Sequence, residues 1–270
     1  MGYKTILVHL GPDGESDRRL RTAIEFARRQ DAHLRGLHIL RPVEVPGMWQ
    51  GINLTDVTRL AKTAAEPARD TFLAACARDG VRGEWLMEVG DAGEHLAQHT
   101  RYADAVIISQ DRPKSALDDY TADLPEHLPF ACSAPVLVLP RGRDSVIDPA
   151  HVVIAWKSSR EAAGAVRDAL PLLKEAEAVT VLTVVPPGDR SEDGACLSRY
   201  LAEHGVNVTL HAVTASDHEV GQAILAEAKA LGAGLIVMGV YGHSRLRVRI
   251  LGGVSKHVLE HSPVPMLVTH

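Results

Sequence analysis

The stretch Gly234-Leu-Ile-Val-Met-Gly-Val-Tyr-Gly242 decides the fold of this chain, together with Gly252-Gly253-Val-Ser255 ten residues further on. Residues 234–238 form an apolar run that is typical of a buried parallel strand, and residues 254–261 have a helical pattern. A glycine-rich loop between a strand end and a helix start lets backbone N–H groups approach an anion, and the helix N-terminus adds partial positive charge. The stretch therefore predicts an α/β fold with a candidate anion site.

The spacing of the glycines excludes two known phosphate-binding motifs. Gly239, Gly242 and Gly252 follow the pattern G-2x-G-9x-G, which is neither the P-loop nor the dinucleotide-binding fingerprint. The alternative interpretation is a turn in which glycine supplies a positive φ angle without any ligand. The spacing alone leaves both interpretations open.

Six segments of the second half repeat segments of the first. Predicted strands at 4–8, 34–40, 84–89, 105–109 and 135–139 correspond to 151–155, 179–185, 208–213, 235–239 and 265–269, and alanine-rich helices at 16–30 and 159–175 follow the first strand of each half. Strands that alternate with helices indicate βαβ units and a parallel sheet with helices on both faces. Right-handed crossovers then give a doubly wound, Rossmann-like sheet in each half.

Composition excludes several function classes. The 270 residues are 46% hydrophobic and 23% charged, with a net charge of −5, which argues against a nucleic-acid surface. No apolar run is long enough to span a bilayer, and neither a signal peptide nor a membrane partner is expected. The three scattered cysteines, Cys76, Cys132 and Cys196, predict a reducing, cytoplasmic environment and no redox role.

The glycine motif and its flanks resemble the universal stress protein family. The resemblance rests on residues 220–225, 232–239, 254–260 and 262–269 around the motif, and the repeat extends it over essentially the whole chain. It implies two tandem domains, 1–141 and 150–270, each with five parallel strands in the order 3-2-1-4-5. It also implies a stress-response role and binding of ATP or AMP, with Mg²⁺ accompanying ATP, in the C-terminal domain alone.

The resemblance assigns a set of nucleotide-binding candidates: Trp156, Lys157, Val184, Gly239, Gly242, His243, Ser244, Gly252, Gly253, Val254 and Ser255. Two positions depart from the family pattern. Lys157 stands where nucleotide-binding members usually carry Asp, and Gly253 stands where ATP-binding members usually carry Ser or Thr. Ser255 is a candidate substitute for that hydroxyl. ATP, AMP, another anionic ligand and no ligand all stay open, and Arg245, Arg247 and Arg249 are either a solvated face or a polyphosphate gate.

The first half lacks the corresponding motif. Its fourth strand ends at Ser109-Gln-Asp-Arg-Pro113 with no G-2x-G, and residues 124–129 replace the second glycine pair with prolines and bulky side chains. Gly11 occupies the place of Lys157. We therefore expect a degenerate N-terminal domain that docks on the C-terminal one as an intramolecular pseudo-dimer. A homodimer through edge strands and a protein partner also stay open.

No catalytic residue is predicted, because nothing in the sequence assembles a nucleophile, a base and an orienting group. The pairs His95/His99 and His257/His261 share helix faces, but no further ligand pattern accompanies them, so no metal site is expected. Three functions stay open: a nucleotide-binding regulator, a structural or interaction protein without nucleotide, and a slow ATPase.

Overall fold

The computed structural model describes residues 2–11, 13–40, 54–110, 123–188, 194–240 and 253–270, with the side chains of 54–62 excepted. The first half contains β1 (Thr5–Leu10), α1 (Ser16–Gln30), β2 (His33–Leu40), α2 (Leu54–Arg78), β3 (Gly83–Val89), α3 (Ala92–His99), β4 (Ala105–Ser109), α4 (Leu124–Ala131) and β5 (Val136–Leu139). The second half contains β6 (His151–Ala155), α5 (Arg160–Glu175), β7 (Ala178–Val185), α6 (Gly194–Glu203), β8 (Thr209–Thr214), α7 (Val220–Ala230), β9 (Leu235–Gly239), α8 (Gly253–His261) and β10 (Met266–Thr269).

The strands form one sheet of ten in the order β3-β2-β1-β4-β5-β10-β9-β6-β7-β8. Within each half the strands are parallel and follow the expected order 3-2-1-4-5, which confirms the predicted fold class. The two halves meet where β5 pairs antiparallel with β10, so that Leu137 lies opposite Leu267. Because of this antiparallel joint, the carboxyl ends of the strands lie at opposite edges of the sheet in the two halves.

The apolar strands are buried because helices cover both faces of the sheet. One apolar layer includes Ile6, Ile107, Ile154 and Val237, and the other includes Leu7, Val106, Val153 and Ile236, so alternate residues of each strand enter opposite layers. Both layers continue from one half into the other. Burial on both faces explains why these strands are continuous Val, Ile and Leu runs.

Polar contacts reinforce the joint between the halves. The Tyr3 hydroxyl donates to the Asp168 carbonyl at 2.6 Å, and the Gln30 side chain donates to Glu175 at 3.0 Å. On the other face, Lys256 of α8 pairs with Glu126 of α4 at 2.8 Å. The segment 141–149 lies along α1, where the Thr22 hydroxyl donates to the Ser145 carbonyl and Arg29 donates to the Ile147 carbonyl.

In the part of the chain that the structure describes, no helix is both long enough and apolar enough to cross a bilayer.

Candidate functional site

The carboxyl ends of β6 and β9 lie side by side in the C-terminal half. Ala155 of β6 pairs with Met238 of β9 on one side and with Leu182 of β7 on the other. The Trp156 N–H continues this ladder by donating to the Leu182 carbonyl at 2.8 Å. The chain leaves β6 and β9 toward opposite neighbours, so this edge is the topological switch point where open α/β sheets bind ligands.

Gly239 ends β9 in close contact with the first turn of α5. A Cβ atom at Gly239 would lie 2.2 Å from the Ala162 nitrogen and 2.4 Å from the Glu161 carbonyl carbon. Both atoms belong to the backbone, so no side-chain rotation could relieve the clash. The φ angle of Gly239 is not positive, so the absence of a Cβ, rather than left-handed freedom, requires glycine here. Gly239 therefore has a packing role that does not depend on a ligand.

Gly253 is the first residue of α8 and has a different environment. Its position is exposed, and a Cβ atom placed there would meet nothing within 4 Å among the described residues. Packing therefore does not require glycine at this position. The next two residues face inward: Val254 packs against the apolar layer, and Ser255 is 8% exposed.

The topology brings the start of α8 to the same edge of the sheet as the ends of β6 and β9. This helix returns the chain from the carboxyl end of β9 to the start of β10, so its N-terminus lies at the carboxyl edge. Its other end is anchored across the joint, where the Ser262 carbonyl accepts a hydrogen bond from Gln110 at 2.9 Å. The structure shows no hydrogen bond from the Ser255 hydroxyl to any other described residue.

Three further candidates lie at this edge, two just after β6 and one on β7. Lys157 is exposed, and Val184 is half-buried against the same apolar layer as Val254. Trp156 is half-buried against the opposite layer. The predicted residues Gly242, His243, Ser244 and Gly252, with the arginines at 245, 247 and 249, lie outside the described residues, so their assignment stays a prediction.

At the start of α5, a side chain of the same segment accepts a hydrogen bond from the helix backbone. The Ser159 hydroxyl accepts a hydrogen bond from the Ala162 N–H at 3.1 Å, which caps the helix. Burial opposes ionisation of Glu161, but hydrogen bonds from its own N–H and from Ser159, with nearby Arg160, hold the pKa of its carboxyl below the ordinary value. No side-chain cap is described for the first turns of α6, α7 and α8, which begin at the same edge.

The equivalent edge of the N-terminal half is filled by a buried ion pair. The Arg19 guanidinium is 1% exposed and donates to the Asp13 carboxylate at 2.8 Å, where Asp13 is 7% exposed. It also donates to the Ser109 hydroxyl at 2.9 Å and to the His9 carbonyl. These groups link the ends of β1 and β4 with α1, at the place where the C-terminal half carries its switch point.

Further polar groups cover the Arg19–Asp13 pair. Arg141 donates to the Asp13 carbonyl at 3.1 Å, and its backbone N–H donates to the Gln110 side chain at 3.1 Å. Sequence reasoning missed this cluster. Its signal was the position of Arg19, which shares one face of α1 with Ala23, Phe26 and Ala27 and so lies on the apolar stripe.

Two buried imidazoles lie near this cluster on β1 and β2. Burial lowers the pKa of His9 to about 3, with help from Arg19, and burial also lowers the pKa of His38. The His38 ring stacks on Trp85 at 5.2 Å, and its Nδ1 has no hydrogen-bond partner among the described residues. Both histidines are therefore neutral in the folded protein at neutral pH.

We expect stability to fall as the pH drops below about 6.5. The folded-state pKa values of His9 and His38 lie below the unfolded value of 6.5, so between these values the unfolded chain binds more protons. The contribution of the two neutral histidines to the free energy of unfolding is therefore fully present above about pH 6.5. Below that pH, each buried histidine lowers the free energy of unfolding by up to about 1.4 kcal/mol per pH unit. Urea unfolding between pH 7.5 and about pH 4.5 measures this slope.

The variant His38→Leu cannot take up the proton and should show a flatter dependence on pH. His151→Leu is the matched control, because His151 is an exposed strand histidine at the start of β6. Equal slopes for the two variants and the parent chain would contradict a buried, neutral His38.

The histidine pairs noted in the sequence make local contacts. The His99 Nε2 lies 3.1 Å from a Glu88 oxygen, and the His257 and His261 rings stack at 4.5 Å. Among the described residues, no group of three or more His, Cys, Asp or Glu side chains is arranged to hold a metal ion.

Comparisons with known proteins match a segment in each half of the chain. A family model described as the universal stress protein family matches residues 2–114 and 190–270. No curated protein matches the chain significantly.

Solved structures resemble the chain over its whole length. A universal stress protein from Archaeoglobus fulgidus DSM 4304 is 20% identical, with a TM-score of 0.76 over 97% of this chain and 95% of that chain. A functionally unknown protein from Pseudomonas aeruginosa PAO1 is 18% identical, with a TM-score of 0.64 over 99% of this chain and 92% of that chain. At these identities the likeness establishes the fold alone, and it includes the tandem arrangement of two similar halves.

Proposed function

The chain belongs to the universal stress protein family, and from this membership we propose that its C-terminal half binds an adenine nucleotide as part of a stress response. The proposed units are a degenerate domain, 1–141, and a nucleotide-binding domain, 150–270. The proposed location is the cytoplasm, in keeping with the scattered cysteines.

The contrast between the two edges carries this proposal. In the N-terminal half the switch point holds the Arg19–Asp13 pair, so a carboxylate of the protein already pairs with the guanidinium group there. In the C-terminal half the same place presents the first turn of α8, where Gly253 is exposed and a Cβ atom would meet none of the described residues within 4 Å. An anionic ligand would therefore meet a protein carboxylate at the first edge and the N–H groups of a helix N-terminus at the second.

Each residue at the second edge has a defined role in the proposal. Val184 offers an apolar surface for the base, and the first turn of α8 offers N–H groups to the phosphate. The Ser255 hydroxyl is the candidate donor in place of the hydroxyl missing at Gly253. The sequence motif adds Gly242 and Gly252 to the proposed site. ATP and AMP both fit this arrangement, and Mg²⁺ would accompany ATP.

A regulatory role fits this site better than catalysis, because none of its residues that the structure describes is placed to act as a general base. Lys256, one residue after Ser255, pairs with Glu126 of the other half at 2.8 Å. A nucleotide at the start of α8 would therefore act on a helix that is bonded across the joint. It would shift the protein only by its differential affinity for two states of this region.

Two alternatives predict different results. A structural or interaction protein without nucleotide is favoured by Lys157 and Gly253, which depart from the family pattern. A slow ATPase predicts magnesium-dependent turnover above background that falls on Gly242→Val.

Thermal unfolding with and without nucleotide tests the proposal. A ligand at 100 times its dissociation constant stabilises the native state by about 2.7 kcal/mol, so ATP or AMP should raise the melting temperature by several degrees. An unchanged melting temperature across ATP, ADP and AMP at millimolar concentration would favour the alternative without nucleotide.

The variant Gly253→Ser should strengthen ATP binding. A Cβ atom at this position meets none of the described residues within 4 Å, so we expect the fold to be unaffected, and the hydroxyl adds a donor at the first turn of α8. A net gain of about 0.5–1.5 kcal/mol per hydrogen bond corresponds to a roughly two- to tenfold lower dissociation constant. Gly253→Ala is the control, because it adds the Cβ without the hydroxyl, and isothermal titration calorimetry measures both.

A weaker affinity for ATP in Gly253→Ser than in Gly253→Ala would contradict the assigned place of the phosphate.

A further inference from the structure

The ten-stranded sheet ends at β3 on one side and at β8 on the other. β8 is the more exposed of the two end strands: four of its six residues are exposed, and Leu210 is 50% exposed. In β3 the exposed residue is Val89, at the end of the strand. Among the described residues, β8 pairs with β7 alone, so the outer side of β8 has no described partner strand.

Alternate residues of β8 direct their backbone groups to this outer side. The Ala215 N–H donates to the Val185 carbonyl of β7 at 3.1 Å and continues the ladder between the two strands. Successive residues of a strand direct their N–H and C=O groups to opposite sides, so the odd-numbered residues of β8 face β7. The register with β7 is uninterrupted, and no bulge disturbs this alternation. The residues that direct their backbone groups outward are therefore Leu210, Ala212 and Thr214.

The side chains of β8 lack the devices that keep edge strands apart. Leu210 lies on the α6 face of the sheet, where a Cβ atom at Gly194 would be 2.9 Å from one of its methyl carbons. His211 lies on the opposite face, where it pairs with Glu227 of α7 at 2.9 Å. The strand Thr-Leu-His-Ala-Val-Thr contains no Asp, Glu, Lys, Arg or Pro, which are residues that protect an edge from pairing with another chain.

The charges of β3 distinguish it from β8. β3 contains Glu84 and Glu88. If β3 paired antiparallel with its own copy about Leu86, Glu84 of one chain would lie directly opposite Glu88 of the other. Like charges that lie directly opposite each other destabilise a strand pair. Charge therefore opposes self-pairing at β3 and does not oppose it at β8.

We propose that β8 pairs antiparallel with β8 of a second copy of this chain and forms a symmetric dimer. A twofold axis perpendicular to the sheet keeps each face on the same side in both copies. The register that uses all three outward-directed residues places Ala212 opposite Ala212 of the second copy. Leu210 then lies opposite Thr214, and His211 lies opposite Val213, so no like charges face each other. This inference does not depend on the proposed nucleotide site.

Sedimentation velocity of the full chain, from low to high micromolar concentration, tests the proposal. The expected mass at high concentration is twice that of one chain. The variant Ala212→Lys places two ammonium groups opposite each other, so it should raise the dissociation constant of the dimer at least about fivefold. Ala131→Lys is the matched control, because it adds the same charge at an exposed residue of α4 in the other half, and it should leave the dimer unchanged.

A second variant, Ala212→Pro, removes hydrogen bonds between the copies without removing one from the ladder with β7. The N–H of residue 212 points outward, and proline has no N–H, so two symmetric hydrogen bonds are lost in the dimer. The dissociation constant should rise roughly ten- to hundredfold. The far-UV circular dichroism spectrum should match that of the parent chain, which is the check on folding.

A cysteine at position 212 tests the register directly. The Cα atoms of a hydrogen-bonded antiparallel pair lie about 5.5 Å apart, within the range that a disulfide spans. In a Cys196→Ser background, which removes the exposed thiol, Ala212→Cys should cross-link two copies under mild oxidation. Ala131→Cys in the same background is the control and should stay uncross-linked. A dimer that Ala212→Cys does not cross-link would contradict the register.

Three outcomes would overturn the proposal. A monomer at every concentration would leave β8 to a strand of another protein. A mass that grows beyond two chains would indicate head-to-tail pairing of β8 with β3 rather than a closed dimer. A dimer with the same dissociation constant in the parent chain, Ala212→Lys and Ala212→Pro would have its interface on another surface.

Discussion

Replacing Asp13 with alanine is expected to lower the free energy of unfolding by about 3–5 kcal/mol, because the buried Arg19 guanidinium would lose its counter-charge. The Arg19 side chain is 1% exposed, so water cannot replace the lost carboxylate without opening the first turn of α1. The other described partners of the Arg19 side chain, the Ser16 and Ser109 hydroxyls and the His9 carbonyl, are neutral. Urea unfolding at neutral pH measures the change.

Asp144→Ala is the matched control for Asp13→Ala. Asp144 also pairs with an arginine of α1, Arg21 at 2.6 Å, but both side chains are largely exposed. An exposed ion pair contributes little, so the control should be indistinguishable from the parent chain. The double variant Asp13→Ala with Arg19→Met should recover part of the loss, because it removes the orphaned charge. Equal stability of Asp13→Ala and Asp144→Ala would show that the Arg19–Asp13 pair does not hold this edge together.

Replacing Gly239 with alanine is expected to have the second largest effect, a loss of about 3 kcal/mol or more. The added Cβ would overlap the backbone of Glu161 and Ala162, with 2.2 Å to the nearest atom, so β9 and α5 would have to separate. Overpacking typically costs about 1–3 kcal/mol, and a clash between backbone atoms belongs at or above the upper end. Urea unfolding and far-UV circular dichroism measure the loss of stability and of ordered structure.

Gly253→Ala provides the comparison for Gly239→Ala within the same glycine motif. Its added Cβ meets none of the described residues within 4 Å, so its stability should equal or slightly exceed that of the parent chain. The two glycines belong to the same motif, so if both served ligand binding alone, the two alanine variants should be equally stable. A Gly239→Ala variant as stable as Gly253→Ala would contradict the packing role of Gly239.

Most of the fold could be predicted from sequence, because local patterns and tertiary packing agree. The helix expected at 16–30 is Ser16–Gln30, and the strand expected at 235–239 is Leu235–Gly239. The helix expected from residue 159 begins at Arg160 instead. Ser159 adopts an extended conformation and caps the helix with its hydroxyl, which is why it lies just outside.

The strand boundaries were less well predicted because burial, rather than composition, decides where pairing stops. β1 continues to Leu10, two residues beyond the expected end, since His9 and Leu10 still pair with β2. From the sequence, the contact between β5 and β10 could be predicted only in the general form that one half docks on the other. That the two edges form one continuous ladder depends on the fit of whole surfaces, which no local pattern encodes.

The candidate site was less predictable than the fold. The sequence motif does not distinguish its glycines, yet Gly239 contacts the backbone of α5, whereas a Cβ at Gly253 would meet none of the described residues within 4 Å. The Arg19–Asp13 pair was missed because charged residues in a helix are usually solvated, and its burial depends on a turn six residues upstream that folds back onto α1. Such contacts depend on tertiary packing rather than on a local sequence pattern.

The central claim, that the C-terminal half binds an adenine nucleotide, is tested most directly on the protein as purified. The protein is denatured, the released small molecules are identified by mass spectrometry, and ATP and AMP are titrated calorimetrically into the stripped protein. The account predicts co-purified adenine nucleotide, or a dissociation constant in the micromolar range that is lost in Gly242→Val and kept in Asp144→Ala. An empty protein that shows no heat of binding with either nucleotide would contradict it.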